Sequence, residues 1–359
     1  MSTIGAVHGV LPPHRYAQHE LTEMLAELVG LPDAAMGWLR QIHRNAGVRT
    51  RHLVLPAEDY AHVCSDFGRS NDAFIEHGTE LAVRAVEGAL KDAGVDAQDV
   101  DLIVSTTITG LAVPSLDARL MARLPLRPDV KRVPIVGLGC VGGAAGIARV
   151  HDHLVGHPED VAVLLSVEVC SLTLQRDDTS TANLVASGLF GDGAAAVVLL
   201  GAEAAAERRL PAAPQVIATR SRFYPDTEQA MGWTVRSSGL RIVLGAEVPD
   251  LVRGHVRDDV DGFLANQGLT RADIAWWVAH PGGPKVLHAM AEALEVPSSA
   301  LGVTWRSLEA IGNLSSSSVL HVLADTLRDQ PPPPGSPGLL LAMGPGFCLE
   351  MVLLRAAED

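Results

Sequence analysis

Apolar residues along this chain follow two rhythms. Unbroken runs rich in Val, Leu, Ile and Ala occur at DLIVSTT (Asp101 to Thr107), VPIVG (Val133 to Gly137), VAVLLSVEV (Val161 to Val169) and GAAAVVLL (Gly193 to Leu200). Runs with no polar alternation predict strands covered on both faces. Between and before them lie stretches with helical spacing: TELAVRAVEGALKDAGV (Thr79 to Val95), ended by Gly94, and GGAAGIARVHDHL (Gly142 to Leu154). The second half echoes the order. IAWWVAH (Ile274 to His280) predicts a strand, GPKVLHAMAEAL and SVLHVLADTL predict helices, and GLLLAMG and CLEMVLLR predict two closing strands. The PPPPGSPG stretch from Pro331 predicts a stiff surface loop. The pattern as a whole predicts an α/β fold that is internally duplicated.

Composition narrows the class. A chain of 359 residues, 47% apolar and 19% charged, has ample material for a large core. It suits two similar halves, divided here at residues 1–210 and 211–359, with no evident linker between them. The net charge of −14 argues against nucleic acid as a partner, while leaving room for a local basic mouth that would steer an anionic substrate. Cys64, Cys140, Cys170 and Cys348 show no short-range pairing, so neither a disulfide framework nor a zinc site is expected. A reducing cytoplasm is the natural setting. The N-terminal segment lacks a basic region followed by an apolar run, so no secretory signal is expected. No apolar run approaches the roughly 20 residues of a membrane span.

Three segments carry candidate chemistry. Cys140 lies in VPIVGLGCVGGAAG, where a strand passes into a helix through Gly139, Gly142 and Gly143. The glycines permit a sharp turn and close approach of a substrate, and the helix N-terminus is expected to favour the thiolate. His280 ends an apolar strand and opens into Pro281-Gly282-Gly283-Pro284, a place where α/β proteins put site residues. Asn313 precedes Leu314 and four serines. Each residue has a plainer reading: a core cysteine, one histidine among 14, and a helix cap. Taken together, a nucleophile and two hydrogen-bonding groups point to acyl transfer. The other three cysteines lack such a setting and are expected to pack or to line a pocket.

In order and spacing, TRHLV, STTITGLAVPS, GLGCVGGAAG, LFGDGAAAVVL, AHPGGPKVL, GNLSSSSVL and AMGPGF resemble the type III polyketide synthases, the chalcone-synthase-like branch of the thiolase superfamily. The resemblance runs from about Arg49 to Leu354. It implies a thiolase-like αβαβα fold of five layers, with Cys140, His280 and Asn313 as the catalytic triad. An acyl-CoA starter would load on Cys140, and malonyl-CoA or methylmalonyl-CoA would lose CO2 and extend it by Claisen condensation. The resulting poly-β-ketide would then cyclise in the same cavity. No metal or redox cofactor is implied beyond the coenzyme A thioester substrates. The resemblance places Phe190 at the junction of CoA tunnel and cavity, and Cys170, Leu172, Thr173 and Ser315 on the cavity wall. It sends Val113 across a homodimer interface, and offers Arg40, Arg44, Arg49, Lys285 and Gly282 as contacts for CoA.

Departures from the plant pattern fall at Trp233, where a cavity-shaping glycine is expected, and at Ile242, which replaces an aromatic. Met343 and Phe347 alter the closing GFGPGL-type signature. These exchanges resemble bacterial alkylresorcinol and alkylpyrone synthases, implying a fatty acyl starter and an alkylresorcinol, alkylpyrone or related phenolic product. Three other readings remain open at this point. They are a ketoacyl-ACP synthase III-like enzyme, a cysteine hydrolase using the same Cys-His-Asn order, and an inactive thiolase-fold partner.

Overall fold

Nine strands hydrogen-bond into one mixed sheet in the computed structural model, which describes residues 1–208 and 213–358. They are β1 (Ser2–Val10), β2 (Leu102–Thr107), β3 (Lys131–Val136), β4 (Val161–Val169), β5 (Asp192–Leu200), β6 (Gln215–Phe223), β7 (Trp276–Ala279), β8 (Pro337–Gly344) and β9 (Cys348–Arg355). The order across the sheet is β7-β8-β9-β6-β1-β5-β4-β2-β3. Within it, β2-β4-β5-β1 and β7-β8-β9-β6 are the same motif. In each, the first pair is parallel and the next two pairings are antiparallel. That repeat is the duplication anticipated from the sequence; the boundary placed at 210/211 lies outside the described residues.

Five helices complete the layers: α1 (Phe67–Ala93), α2 (Gly142–Gly156), α3 (Val248–Ala265), α4 (Pro284–Leu294) and α5 (Ser318–Asp329). Phe74, Leu81 and Val86 of α1 pack on Ile103, Val163 and Val198 of the first half-sheet. Ile147 and Val150 of α2, with Leu320 and Leu323 of α5, share a core with Leu164 and Val197 on one side and Leu340 and Val352 on the other. Val252 and Val256 of α3 and Met290 of α4 cover Leu339, Leu341 and Met351. Successive strand residues thus point into different helix layers. This is why β2, β4, β5, β7, β8 and β9 read as unbroken apolar runs: neither face meets water. The run VPIVG is the exception, because β3 is the edge of the sheet and most of its residues are exposed in this chain.

Two features differ from the sequence expectation. The half-sheets are continuous, joined through Ser2↔Val216 and Thr3↔Gln215 between β1 and β6. Helix α1 starts at Phe67, well before Thr79, because the Asp66 side chain caps it by accepting from the Arg69 N–H at 3.1 Å. Its early turns are largely polar, which hid them. Its end is as expected, with Gly94 left-handed at φ +63°.

The central helices touch at one point where no side chain fits. A Cβ on Gly143 would lie 2.4 Å from the Ser316 carbonyl oxygen and 2.8 Å from Val319 Cγ1. The first obstacle is backbone and cannot rotate away. Gly143→Ala is therefore expected to cost about 2–3 kcal/mol of overpacking strain, read as a lower urea midpoint. A variant within about 0.5 kcal/mol of the parent would show that the helices do not meet so closely.

Candidate active site

Cys140 occupies the 3₁₀ turn Gly139–Val141 that leads straight into α2. Gly139 takes φ +54°, and a Cβ there would meet the Pro345 ring at 2.8 Å. The turn from the first half is thus pressed against the AMGPGF loop of the second. His280 extends the β7–β8 ladder by one rung, its N–H donating to the Leu341 carbonyl at 2.9 Å. The Gly282 N–H donates back to the His280 carbonyl at 2.9 Å.

Asn313 is anchored to the opposite half by its backbone. Its N–H donates to the Leu189 carbonyl and its own carbonyl accepts from the Gly191 N–H, both at 2.9 Å. The side-chain oxygen accepts from the Ser315 N–H at 2.8 Å and from Ser318 Oγ at 3.4 Å. Asn313 is thus not the helix cap of the plainer reading, since the cap positions fall to Leu314 and Ser317; its side chain closes a local turn instead. With the oxygen engaged, the amide nitrogen is the end left to serve the cavity that Asn313 lines.

Cys140, His280, Asn313 and Ser315 line one cavity, which encloses about 610 Å³ counted out to its open mouth. Ser315 has left-handed φ +50°, and its Oγ lies 3.8 Å from the Cys140 sulfur. The wall is otherwise mostly apolar: Leu189, Phe190, Met231, Trp233, Ile242, Leu244, Val286 and Met343, with Gly282 among them. His280 is 2% exposed and, among the described residues, neither ring nitrogen has a hydrogen-bond partner. Burial pushes its pKa down to about 3, so the imidazole is neutral.

The thiol departs from expectation. Burial pushes Cys140 up to about 12, opposed by the Ser315 contact and reinforced by Glu168 and Cys348. The helix N-terminus carries only a fraction of a charge, and among the described residues no cation beside the sulfur completes its work. Glu168 was not singled out from the sequence. It is fully buried and accepts from Thr109 Oγ1 at 2.9 Å, from the Ile108 N–H at 3.1 Å and from Ser316 Oγ. Its signal was a lone carboxylate inside the apolar run VAVLLSVEV.

A second cavity of about 600 Å³ lies beyond Phe190, Trp233 and Ile242, which line both spaces. Trp233 and Ile242 are cross-strand partners in the hairpin formed by Met231–Arg236 and Gly239–Leu244. Cys170 and Thr173 face this second space. Leu172 does not: it is packed in the core beneath α1. Residues 170–173 form a 3₁₀ turn, in which positions three apart eclipse one another, so Cys170 and Thr173 share a face that Leu172 lacks. Val113 is 96% exposed and is not on the wall of either of these two cavities.

The basic candidates form a rim built from both halves. Gly47, in the turn between Arg44 and Arg49, approaches the Pro284 ring next to exposed Lys285. Ala46 and Val48 pack with Leu189, Leu287 and Phe190 near the cavity. Arg40 is bonded to Glu23 at 2.8 Å and Arg49 to Glu309, while Arg44 donates to Gln41 at 2.7 Å. Arg40 and Arg49 are thus already neutralised, and Arg44 and Lys285 are the more available charges.

A thiol, a neutral imidazole and an amide around an apolar cavity, on a duplicated five-layer frame, define a thiolase-fold condensing enzyme, and comparison with known proteins makes the class narrower. Residues 2–204 match the N-terminal domain, and residues 215–358 the C-terminal domain, of the chalcone and stilbene synthases. The chain belongs to that family, the type III polyketide synthases, which transfer acyl groups from acyl-CoA starters and extend them with malonyl-CoA. It is 58% identical over 354 residues to a 1,3,6,8-tetrahydroxynaphthalene synthase of Streptomyces peucetius subsp. caesius, covering 99% of this chain and 93% of that one. A putative chalcone synthase of Bacillus subtilis is 33% identical over 361 residues, with 98% of each chain covered. The solved 1,3,6,8-tetrahydroxynaphthalene synthase of Streptomyces coelicolor A3(2), a bacterial type III polyketide synthase, superposes with a TM-score of 0.92 at 28% identity over 99% of both chains. The likeness is thus to tetrahydroxynaphthalene synthases, and not specifically to the alkylresorcinol and alkylpyrone type anticipated from Trp233 and Ile242. Among the described residues no helix is long and apolar enough to cross a membrane.

The buried neutral histidines set an acid limit. His280 and His43 are held at about 3 and about 4 against an ordinary 6.5, chiefly by burial. Below pH 6.5 the unfolded chain takes up protons that these native rings refuse, so stability is lost as pH falls toward the folded values. Asp192, raised to about 6, acts in the opposite sense, so the useful comparison is parent against His280→Asn. Urea unfolding should show the parent losing stability on acidification more steeply than the variant, by up to about 1.4 kcal/mol per pH unit. Parallel curves would mean that His280 is not held neutral by burial.

Proposed function

We propose that this protein makes 1,3,6,8-tetrahydroxynaphthalene from malonyl-CoA alone, with Cys140, His280 and Asn313 as its catalytic groups. The observation that carries the chemistry is that these three residues, brought from three distant segments, line one mostly apolar cavity. The product is suggested by the relative that is 58% identical. The ten carbons of a naphthalene correspond to five two-carbon units, and its alternating hydroxyls mark former carbonyls. Five malonyl-CoA give the product with loss of five CO2, five coenzyme A and one water. The scheme is redox-neutral and calls on no metal or redox cofactor.

On first loading, the protonated Cys140 gives its proton to neutral His280 as sulfur attacks the thioester, and the departing CoA thiolate takes that proton. His280, neutral again, and the Asn313 amide then donate to the thioester oxygen of the next malonyl-CoA, stabilising the enolate as CO2 leaves. The enolate attacks the acyl-Cys140 carbonyl and expels the cysteine as thiolate. That thiolate is ready to take back the extended chain from CoA. A resting thiol near 12 is therefore no obstacle after the first round, because each condensation regenerates the nucleophile.

Malonyl-CoA supplied alone, without carrier protein, should yield tetrahydroxynaphthalene by mass spectrometry. Product appearing only with a long fatty acyl-CoA starter, as alkylpyrone or alkylresorcinol, would sink this substrate assignment in favour of the alkyl-synthase reading. Cys140→Ala should abolish acyl labelling, and Asn313→Ala should slow malonyl-CoA decarboxylation by about a hundredfold or more.

The working unit is read as a homodimer. Strand β3 is an open sheet edge whose Val133 and Val136 are 45% and 58% exposed. The 110–116 loop lies beside it, with Leu111 45% and Val113 96% exposed. An apolar edge of this kind needs cover. A Val113→Asp/Val136→Asp double variant should elute as a monomer in light scattering where the parent elutes as a dimer. An unchanged mass would place any interface elsewhere.

A further inference from the structure

We propose that the buried guanidinium of Arg51, beyond the Phe190–Trp233–Ile242 partition, docks the anionic oxygen at the far end of the growing acyl chain. The inference rests on the reading of chain extension at Cys140 and adds a binding site for the other end of the chain.

Arg51 is 4% exposed and, among the described residues, is the only charged one on the wall of the second cavity. The rest is chiefly aliphatic or aromatic, including Leu21, Met24, Leu25, Leu53 and Leu174. Donor accounting leaves one end of the guanidinium unused. Nε donates to Gln18 Oε1 at 3.1 Å, and Nη1 donates to the carbonyls of Ser187 and Phe190. Nη2 has no partner among the described residues. Nor does any carboxylate there form an ion pair with Arg51. Asp192, its main electrostatic companion, spends its oxygens on the Val54 N–H, the Ser171 N–H and Ser171 Oγ.

Holding the carbonyls next to Phe190 explains Nη1. It does not explain a full charge in an apolar hole with a free donor pair, which costs folding energy unless something arrives to meet it. The ligand that fits is a mostly uncharged carbon chain ending in an anionic oxygen. A poly-β-ketide meets that description twice over. Its 1,3-dicarbonyl units ionise to enolates, and a chain primed by intact malonyl carries a carboxylate. A planar guanidinium binds either by donating charge-assisted hydrogen bonds to it. Pinned there, the far end is kept from folding back on the Cys140 thioester, and short lactones are suppressed while extension continues.

The test compares Arg51→Met and Arg51→Lys with the parent, scoring malonyl-CoA decarboxylation and product length separately. Arg51→Met should decarboxylate near the parental rate. Its ratio of longest product to triketide and tetraketide lactones should fall about tenfold, the loss expected for one charge-assisted bond. Arg51→Lys should recover part of that ratio. An unchanged length distribution, a parallel loss of decarboxylation, or no recovery by lysine would each overturn the proposal.

Should Arg51→Met fail to fold, Ala186→Glu keeps Arg51 and its backbone bonds in place. It sets a carboxylate on the same wall, beside Ser187. Ala186→Glu should shorten products while its isosteric control Ala186→Gln does so less; equal effects overturn the proposal. Priming with hexanoyl-CoA separates the two sources of charge. Shortening in malonyl-primed chains alone identifies the carboxylate, shortening in both identifies the enolate, and shortening in neither refutes the site. A parent that makes no tetrahydroxynaphthalene would sink the product assignment above, yet the length ratios would still decide the role of Arg51.

Discussion

The contact of Gly142 and Gly143 on α2 with Ser316, just ahead of α5, is the constraint on which the molecule turns. Two half-sheets, each with its own outer helices, share these two helices as a common filling. The filling is thin at one place because Gly143 lets the Ser316 carbonyl come where a Cβ would stand. Cys140 lies two residues before Gly142, and Asn313 and Ser315 lie three residues and one residue before Ser316. Closing the helices therefore brings the thiol to Ser315 at 3.8 Å. Buried hydrogen bonds between Ser166 and both Ser316 and Ser317, at 2.7 Å each, and from Ser316 Oγ to Glu168 lock the approach. A polar floor of this kind is costly if any member is left unpaired, so it also selects one register for the two halves. Site geometry and fold stability are consequently one property here.

Much of this could be read from the chain because the architecture leaves a plain trace. A strand between two helix layers has no wet face, so β4, β5, β8 and β9 appear as apolar runs with little interruption, and the repeat of their order exposes the duplication. Cys140, His280 and Asn313 stood out because each interrupts an apolar or glycine-rich segment that packing alone would not have punctuated. What stayed hidden depends on distance across the sequence. Nothing near Arg51 signals that its neighbours in space are Gln18, Ser187 and Phe190. The resemblance placed Leu172 on the cavity wall with Cys170 and Thr173, but a 3₁₀ turn separates neighbours and unites residues three apart. The acid–base state of Cys140 was misjudged for a related reason. A helix N-terminus can be seen in a sequence, whereas the absence of any cation beside the sulfur cannot.

Those hidden features bear on what the cavities can hold. The proposed catalytic groups and the five-layer frame suit any decarboxylative condensation, so they leave the length and starting group of the chain undecided. These are limited by space, and the space is divided by a hairpin whose paired Trp233 and Ile242, with Phe190, stand between two cavities of similar size. A large aromatic at position 233 narrows the room beside Cys140. The same exchange reads as a tunnel feature only if the far cavity accepts an uncharged alkyl tail. The far cavity here holds an unpaired cation, and desolvating a guanidinium against a hydrocarbon offers it nothing in return. An oxygen-rich chain with an ionisable end does. The electrostatics of the second cavity thus favour a polyketone built from malonyl units over a fatty acyl tail, on grounds independent of the sequence likeness to tetrahydroxynaphthalene synthases.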